Sequence, residues 1–446
     1  MECVTFPVSG RGFKVSALWK SQLNEGLHAP LHAMNRSITF DFRLWPYDIQ
    51  GSKAHVEMLE KSELISENLS KRLLKGLEEL ETDILCGKTT PQLQDEDVHG
   101  FVERELIERV GPEGSNVHIA RSRNEQILLD VTLYLRDLTH RVVQGLDHAI
   151  DAMALKEQEA GETFMPSYTH LRRAQPMFVK QYWQAHKLLW EKAKQGFIEL
   201  GKSLSQECPM GAGASNGTTL ATQPQWEAER LGFARSSENS LATLSSRQHL
   251  LTFCGSSVHW LLDVSRLMED LINWSSSEFA FVSLSPRVTT GSSMMPQKRN
   301  PDICELLRAQ ASVAMGHYVS LMMLLKGLPM GYMKDLQEDK SQLFAVADLM
   351  ECALEALPLL LQGVTLNVVA MQNAAQDPLL LATDVMEWLV TKGIPLREAH
   401  HKVANSIHES LLNKVPFPDC VIKLWPDFPQ EKFSPFASCV TRLRAK

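Results

Sequence analysis

Apolar side chains recur every three or four residues along most of this chain. After Asn124, the positions Ile127, Val131, Leu135, Leu138, Val142, Leu146, Ile150 and Met153 keep that step with no proline between them. The pattern predicts one long amphipathic helix. A second helix is expected to begin at Pro176, a residue favoured at the first helical position, and to run through Trp183, Leu188 and Phe197 toward Gln206. Two more are expected over about 241–274 and about 301–326. Strand alternation and hairpin dipeptides are scarce, so the fold class is all-α, with the long helices forming a bundle.

The flanks read differently. Before the bundle, Leu69, Leu73, Leu77, Leu80 and Ile84 line one face of a shorter helix that Ser66 is placed to cap. After about residue 363 the helices shorten, and Pro416, Pro418, Pro426, Pro429 and Pro435 exclude long ones. Three regions are therefore expected: an N-terminal helical domain over 1–108, a central bundle over 109–363 and a small helical domain over 364–446. The long helices carry apolar residues on more than one face, which implies either partners beyond their own chain or cover for each extra face within the monomer.

Composition narrows the function classes. With 44% hydrophobic and 22% charged residues, the chain is ordinary globular protein. A formal net charge of -8 works against nucleic acid or an anionic membrane as partner, while leaving room for a local cationic pocket. The eight cysteines are scattered without metal-binding or disulfide-framework spacing. The opening MECVTFPVSGRGFK lacks the apolar core of a secretion signal, and Val313–Leu325 is too short to span a bilayer, so a cytoplasmic location is expected.

Three segments carry candidate chemistry. Gly291 to Asp302 is a flexible Gly-Ser loop with Lys298 and Arg299 that runs into a helix start. There Asn300 suits the cap, Pro301 the first helical position and Asp302 the positive dipole end. Free N–H groups and a lysine at such an end suit a carboxylate or phosphate, although an ordinary polar loop has the same composition. His118 to Asn124 places Arg121, Ser122, Arg123 and Asn124 before the long helix, again suiting a carboxylate or, equally, a solvated basic turn. Tyr168-Thr169-His170-Leu171 lies in a loop bounded by Pro166 and Pro176, where His170 can serve as acid or base near neutral pH.

Together these segments resemble the fumarase/aspartase superfamily, whose loop signature Gly-Ser-Ser-x-Met-Pro-x-Lys-x-Asn is matched in full by residues 291–300. The flanking segments resemble the argininosuccinate lyase/δ-crystallin branch: Arg121-Ser122-Arg123-Asn124, Tyr168-Thr169-His170-Leu171, Arg173-Ala174-Gln175-Pro176 and Lys334 to Lys340. The resemblance covers roughly residues 30 to 405. It implies a three-domain, all-α homotetramer with a twenty-helix core and active sites shared by three subunits. It also implies a dicarboxylate substrate, no metal or other cofactor, and elimination that cleaves a C–N bond and releases fumarate.

By position, the resemblance makes Ser292 the base, His170 the proton donor or charge relay, and Lys298 a stabiliser of the developing dianion. Ser37, Asn124, Thr169 and Asn300 join Lys298 around the fumarate-side carboxylates. Asp41, Arg123, Tyr332, Gln337 and Lys340 hold the amino-acid side. Ser122 lies in the binding strip, His99 near the site, and Arg247 supports it. The chain departs from the usual pattern at Ile119, Ala120, Glu125, Met333 and Ser246, and in the N-terminal arm Leu18-Trp19-Lys20-Ser21-Gln22-Leu23. These departures leave open a sister lyase acting on another succinyl-amine adduct, and a catalytically silent crystallin-like relative.

Overall fold

A computed structural model describes residues 27–444. The expected N-terminal arm and the opening segment, for which no secretion signal was expected, lie outside the described residues. The fold is helical, with four small two-stranded ribbons among the described residues. Five long helices run over Arg123–Ala160, Val179–Ser203, Gln248–Ser275, Asp302–Leu325 and Asp339–Gln362. The chain forms two compact units, and each long helix contributes a segment to both.

The first unit comprises Met1–Arg141, Phe197–Gly255 and Met315–Asp348. In it, helices Trp45–Lys61, Glu67–Leu85 and Val98–Val110 pack on one another. The middle helix starts where its cap predicts, with the Ser66 hydroxyl accepting from the Leu69 N–H at 3.3 Å. Leu69, Leu73, Leu77 and Leu80 on its apolar face are buried. A second core joins Ala54, Leu129 and Leu133 to Cys208, Met210, Ala228, Leu231 and Phe233.

The second unit comprises Val142–Gly196, Ser256–Ala314 and Leu349–Lys446. Its proline-rich end forms short helices, among them Phe417–Leu424 and Pro435–Arg444. Their core holds Val385, Trp388, Leu389, Val403, Phe417, Val421 and Phe428.

The predicted helix of period 3.6 after Asn124 extends over Arg123–Ala160, and all eight of its named apolar positions are buried. Three other expectations are corrected. The second helix begins at Val179, because Arg172–Phe178 pairs antiparallel with Phe164–Thr169 and draws Pro176 into a hairpin opposite Pro166. The third is interrupted: a short helix Ser240–Ser245 ends at an extended Ser246, and the long helix restarts at Gln248. Asn300 does not cap the fourth. It pairs with Thr290 in a two-residue ribbon, and the helix begins at Asp302.

Candidate active site

In the first unit, the turn of chain at Ser37–Asp41 packs against the start of helix Val98–Val110. The Ser37 and Ile38 N–H groups both donate to the Glu96 carbonyl, at 2.8 and 3.1 Å. The Ser37 hydroxyl donates to Asp41 Oδ2 at 2.5 Å, and the Val98 N–H donates to Asp41 Oδ1 at 3.1 Å. Burial pushes the Asp41 carboxyl up to about 7; Asp97 adds to the rise, while Ser37, Lys340 and Val98 oppose it.

Asp97 ties this group together. It caps its helix by accepting the Gly100 N–H at 2.7 Å. Its other oxygen stands 3.5 Å from His99 Nδ1, and Arg123 Nη1 lies 4.0 Å from its capping oxygen. The sequence reading passed over Asp97 as a site residue. Its signal was a cap position at the head of an apolar run, which carries no hint of charge organisation.

His99 is buried, with Nε2 3.0 Å from Asp130 Oδ2. Asp48, His99 and Asp130 bring their ligand-type atoms within 4.8 Å of one another. Burial raises both carboxyls, Asp130 well above its ordinary value, and Arg121 opposes the rise in each. The Arg121 guanidinium, which also donates to the Ser52 hydroxyl at 3.0 Å, thus serves this pocket together with Arg123, whose charge acts on both carboxyls in the same sense. Burial likewise pushes Glu103 up to about 7 and His118 down to about 4. Arg123 reaches Glu103 Oε2 at 3.4 Å.

The Ser122–Asn124 segment opens helix Arg123–Ala160 with a reciprocal cap. The Ser122 hydroxyl accepts the Asn124 N–H at 3.2 Å, and Glu125 Oε1 accepts the Ser122 N–H at 2.8 Å. Asn124 Nδ2 donates to the Ala214 carbonyl at 3.2 Å.

A third set surrounds Asp339. Arg247 Nε donates to its Oδ2 at 2.8 Å and Lys340 Nζ to its Oδ1 at 3.0 Å. Burial alone would raise the Asp339 carboxyl, but Lys340 and Arg247 hold it below the ordinary range. Arg247 also donates to the Leu244 and Ser246 carbonyls, at 3.1 and 2.8 Å, which accounts for the helix break at that point. Burial pushes Tyr332 up to about 12, with the Asp339 charge adding to it. Gln337 is buried in the turn Lys334–Gln337.

In the second unit, Thr169 closes one hairpin strand and pairs with Arg172, leaving His170 and Leu171 as a two-residue turn. Both turn residues adopt left-handed backbone, φ 53 and 56. This corrects the expectation of a simple Pro-bounded loop: a tight hairpin turn needs positive φ at both central positions, and non-glycine residues there are strained. His170 and Leu171 are exposed at the tip.

The Ser292 loop hangs from the ribbon in which Thr290–Gly291 pairs with Arg299–Asn300. The Ser292 hydroxyl accepts the Met294 and Met295 N–H groups at 3.3 and 3.0 Å. Two donors on one oxygen favour its ionised form. Lys298 is exposed in the same loop, tied by its N–H to the Met295 carbonyl at 3.0 Å, and Asn300 is half-buried at the ribbon neck. The structure therefore groups ten of the candidate residues in the first unit and Thr169, His170, Ser292, Lys298 and Asn300 in the second.

Comparison with known proteins decides what these groups belong to. Residues 28–316 match a family model described as lyase, and residues 379–439 match one described as argininosuccinate lyase C-terminal. An argininosuccinate lyase of Synechococcus is 39% identical over 92% of this chain and 84% of its own length. One from Legionella pneumophila is 37% identical over 88% of this chain and 96% of its own. The chain belongs to the argininosuccinate lyase family. The argininosuccinate lyase fold is shared more widely. An EDDS lyase solved with formate superposes with a TM-score of 0.77 at 24% identity, over 94% of this chain and 86% of that one. A class II fumarase from Schistosoma mansoni does so with 0.78 at 18% identity, over 90% and 91%. Among the described residues, no helix is long and apolar enough to cross a membrane.

Proposed function

We propose that this chain cleaves argininosuccinate to arginine and fumarate, serving arginine biosynthesis in the cytoplasm. The observation that carries the mechanism is the Ser292 hydroxyl held by two backbone N–H groups in the exposed loop that also carries Lys298. A free serine hydroxyl is a weak base. The two donors favour its alkoxide, an approach of the Lys298 ammonium would add to this, and closure of the loop over substrate excludes the water that would weaken both.

Ser292 takes a proton from the succinyl carbon next to a carboxylate, leaving the electron pair on that carboxylate as a dianion. A positioned donor to such an oxyanion is worth about 3–4 kcal/mol, and Lys298 and Asn300 supply it. The pair then returns to form the fumarate double bond as the C–N bond breaks. The nitrogen leaves with the bond electrons and is protonated, with His170 as the donor or as the charge relay to the donor. Ser37, Ser122, Asn124 and Thr169 hold the succinyl carboxylates. Asp41, Arg123, Tyr332, Gln337 and Lys340 hold the amino-acid half, with His99 and Arg247 supporting them.

The two residue groups come together in a homotetramer, three subunits to a site. Supporting this is the exposed apolar stripe of helix Asp302–Leu325, which carries Leu306, Val313 and Met323. The test is fumarate release, followed by ultraviolet absorbance, from a panel of N-succinyl compounds. Turnover of argininosuccinate is expected. Turnover only of another adduct identifies a sister lyase, and no turnover of any identifies a silent relative.

A further inference from the structure

Glu125 is one of the departures from the motif that its segment resembles, and its side chain is fully buried in the first unit. Both of its oxygens are used. Oε1 accepts the Ser122 N–H and Oε2 accepts the Gly213 N–H, each at 2.8 Å. The first bond closes the cap of the long helix; the second reaches 88 residues along the chain. Beside it, Asn124 Nδ2 donates to the carbonyl of the next loop residue, Ala214. Consecutive helix residues therefore grip consecutive loop residues.

The gripped loop can take only one form at the contact. Gly213 has φ +61, and a Cβ there would fall 2.4 Å from the Gly217 carbonyl oxygen. The Gly217 N–H closes the turn onto the Ala212 carbonyl at 2.8 Å. Beyond the grip, Ala214, Ser215 and Asn216 form an exposed tip beside Asn124.

We propose that Glu125 is a positioning residue that locks the Ser122–Asn124 strip to the Gly211–Gly217 loop, making the two a single wall for the succinyl carboxylates of the substrate. This rests on the assignment of Ser122 and Asn124 to those carboxylates. The chemistry of the clamp is specific to a carboxylate of this length. Glutamine offers one acceptor and one donor, so its amide N–H₂ faces an N–H group and one tether breaks. Aspartate keeps the charge but is one methylene shorter and holds one tether at a time.

The experiment compares wild type with Glu125→Gln and Glu125→Asp. It reads KM, kcat, thermal midpoint and fumarate affinity by calorimetry, with arginine affinity as the internal control. For Glu125→Gln, KM and the fumarate dissociation constant are expected to rise about tenfold, the scale of one lost charge-assisted hydrogen bond. Arginine affinity and kcat stay within about threefold, and Glu125→Asp recovers part of the loss. Gly213→Ala attacks the same clamp from the loop side and is expected to weaken fumarate binding in the same way.

Unchanged fumarate affinity in Glu125→Gln overturns the proposal, as does a fall in thermal midpoint with KM unmoved, because a purely structural residue would give that result. The test does not require argininosuccinate to be the substrate. Wild type that binds fumarate without cleaving argininosuccinate defeats only the assigned substrate. Wild type that does not bind fumarate defeats both readings.

Discussion

The Ser37 hydroxyl donates a 2.5 Å hydrogen bond to Asp41, yet the Asp41 carboxyl is pushed up to about 7 rather than down. A short hydroxyl bond and the Val98 N–H both favour the ionised form. Removal from water and the neighbouring Asp97 disfavour it more. The group that would receive the cationic half of the substrate therefore ionises close to working pH.

A stability prediction follows from the sign of this shift. The folded-state value lies above the ordinary 3.8, so the folded chain binds the extra proton between about pH 4 and 7. Stability from this group is present below about pH 4 and is lost as pH rises to 7, with a slope of at most about 1.4 kcal/mol per pH unit. Asp41→Asn removes that contribution. Thermal midpoints of wild type and variant, measured from pH 4.5 to 8, should show the wild type losing ground as pH rises. A constant difference would contradict the shift.

Replacing Ser292, the proposed base, separates chemistry from folding. Ser292 lies in an exposed loop, and its hydroxyl bonds only to N–H groups of that loop among the described residues. Ser292→Ala should lower kcat by about 10²–10⁴-fold, the usual worth of a positioned acid or base, while leaving the thermal midpoint within a degree or so of wild type. Retention of wild-type turnover would remove Ser292 from its role.

The Arg247–Asp339 pair makes the opposite kind of prediction. Both side chains are buried, and Arg247 satisfies two further carbonyls where the helix breaks. Arg247→Met leaves Asp339 with Lys340 as its remaining cation, and one buried and one part-buried carbonyl without this donor. Breaking such a pair costs about 3–5 kcal/mol. Chemical denaturation should show a loss of that size, and a neutral result would mean that Lys340 alone balances Asp339.

Periodicity made the helical part of the molecule legible, because burial of one face is a local property of spacing: the eight apolar positions stepping from Ile127 to Met153 are buried, and Ser66 caps its helix. The hairpin at Phe164–Phe178 was not legible. Two prolines and a turn built on His170 and Leu171 carry none of the glycine or asparagine that marks such turns. The loop motif around Ser292 identified the chemistry through resemblance. The partners of the buried charges had no comparable signal. Nothing in the spacing of Asp48, Asp97, Asp130 and Arg121 places them around His99, since the folded backbone alone brings them together.

Helix Asp302–Leu325 carries the last prediction. Leu306, Val313 and Ser320 recur at intervals of seven, and Ala309, Gly316 and Met323 recur at the same interval three residues on; all six are exposed. A seven-residue repeat offset by three is the seam of two helices packed side by side, and the small residues within it allow close approach. An apolar stripe of this length is costly to leave in water, so a second copy of the chain is its natural cover. Val313→Glu puts a charge at the centre of the seam while leaving the subunit core untouched. In the proposed tetramer each site draws residues from three subunits, so light scattering should show smaller species and fumarate release should fall with them. A Val313→Glu protein that remains tetrameric and fully active would show that this stripe is not the assembly surface.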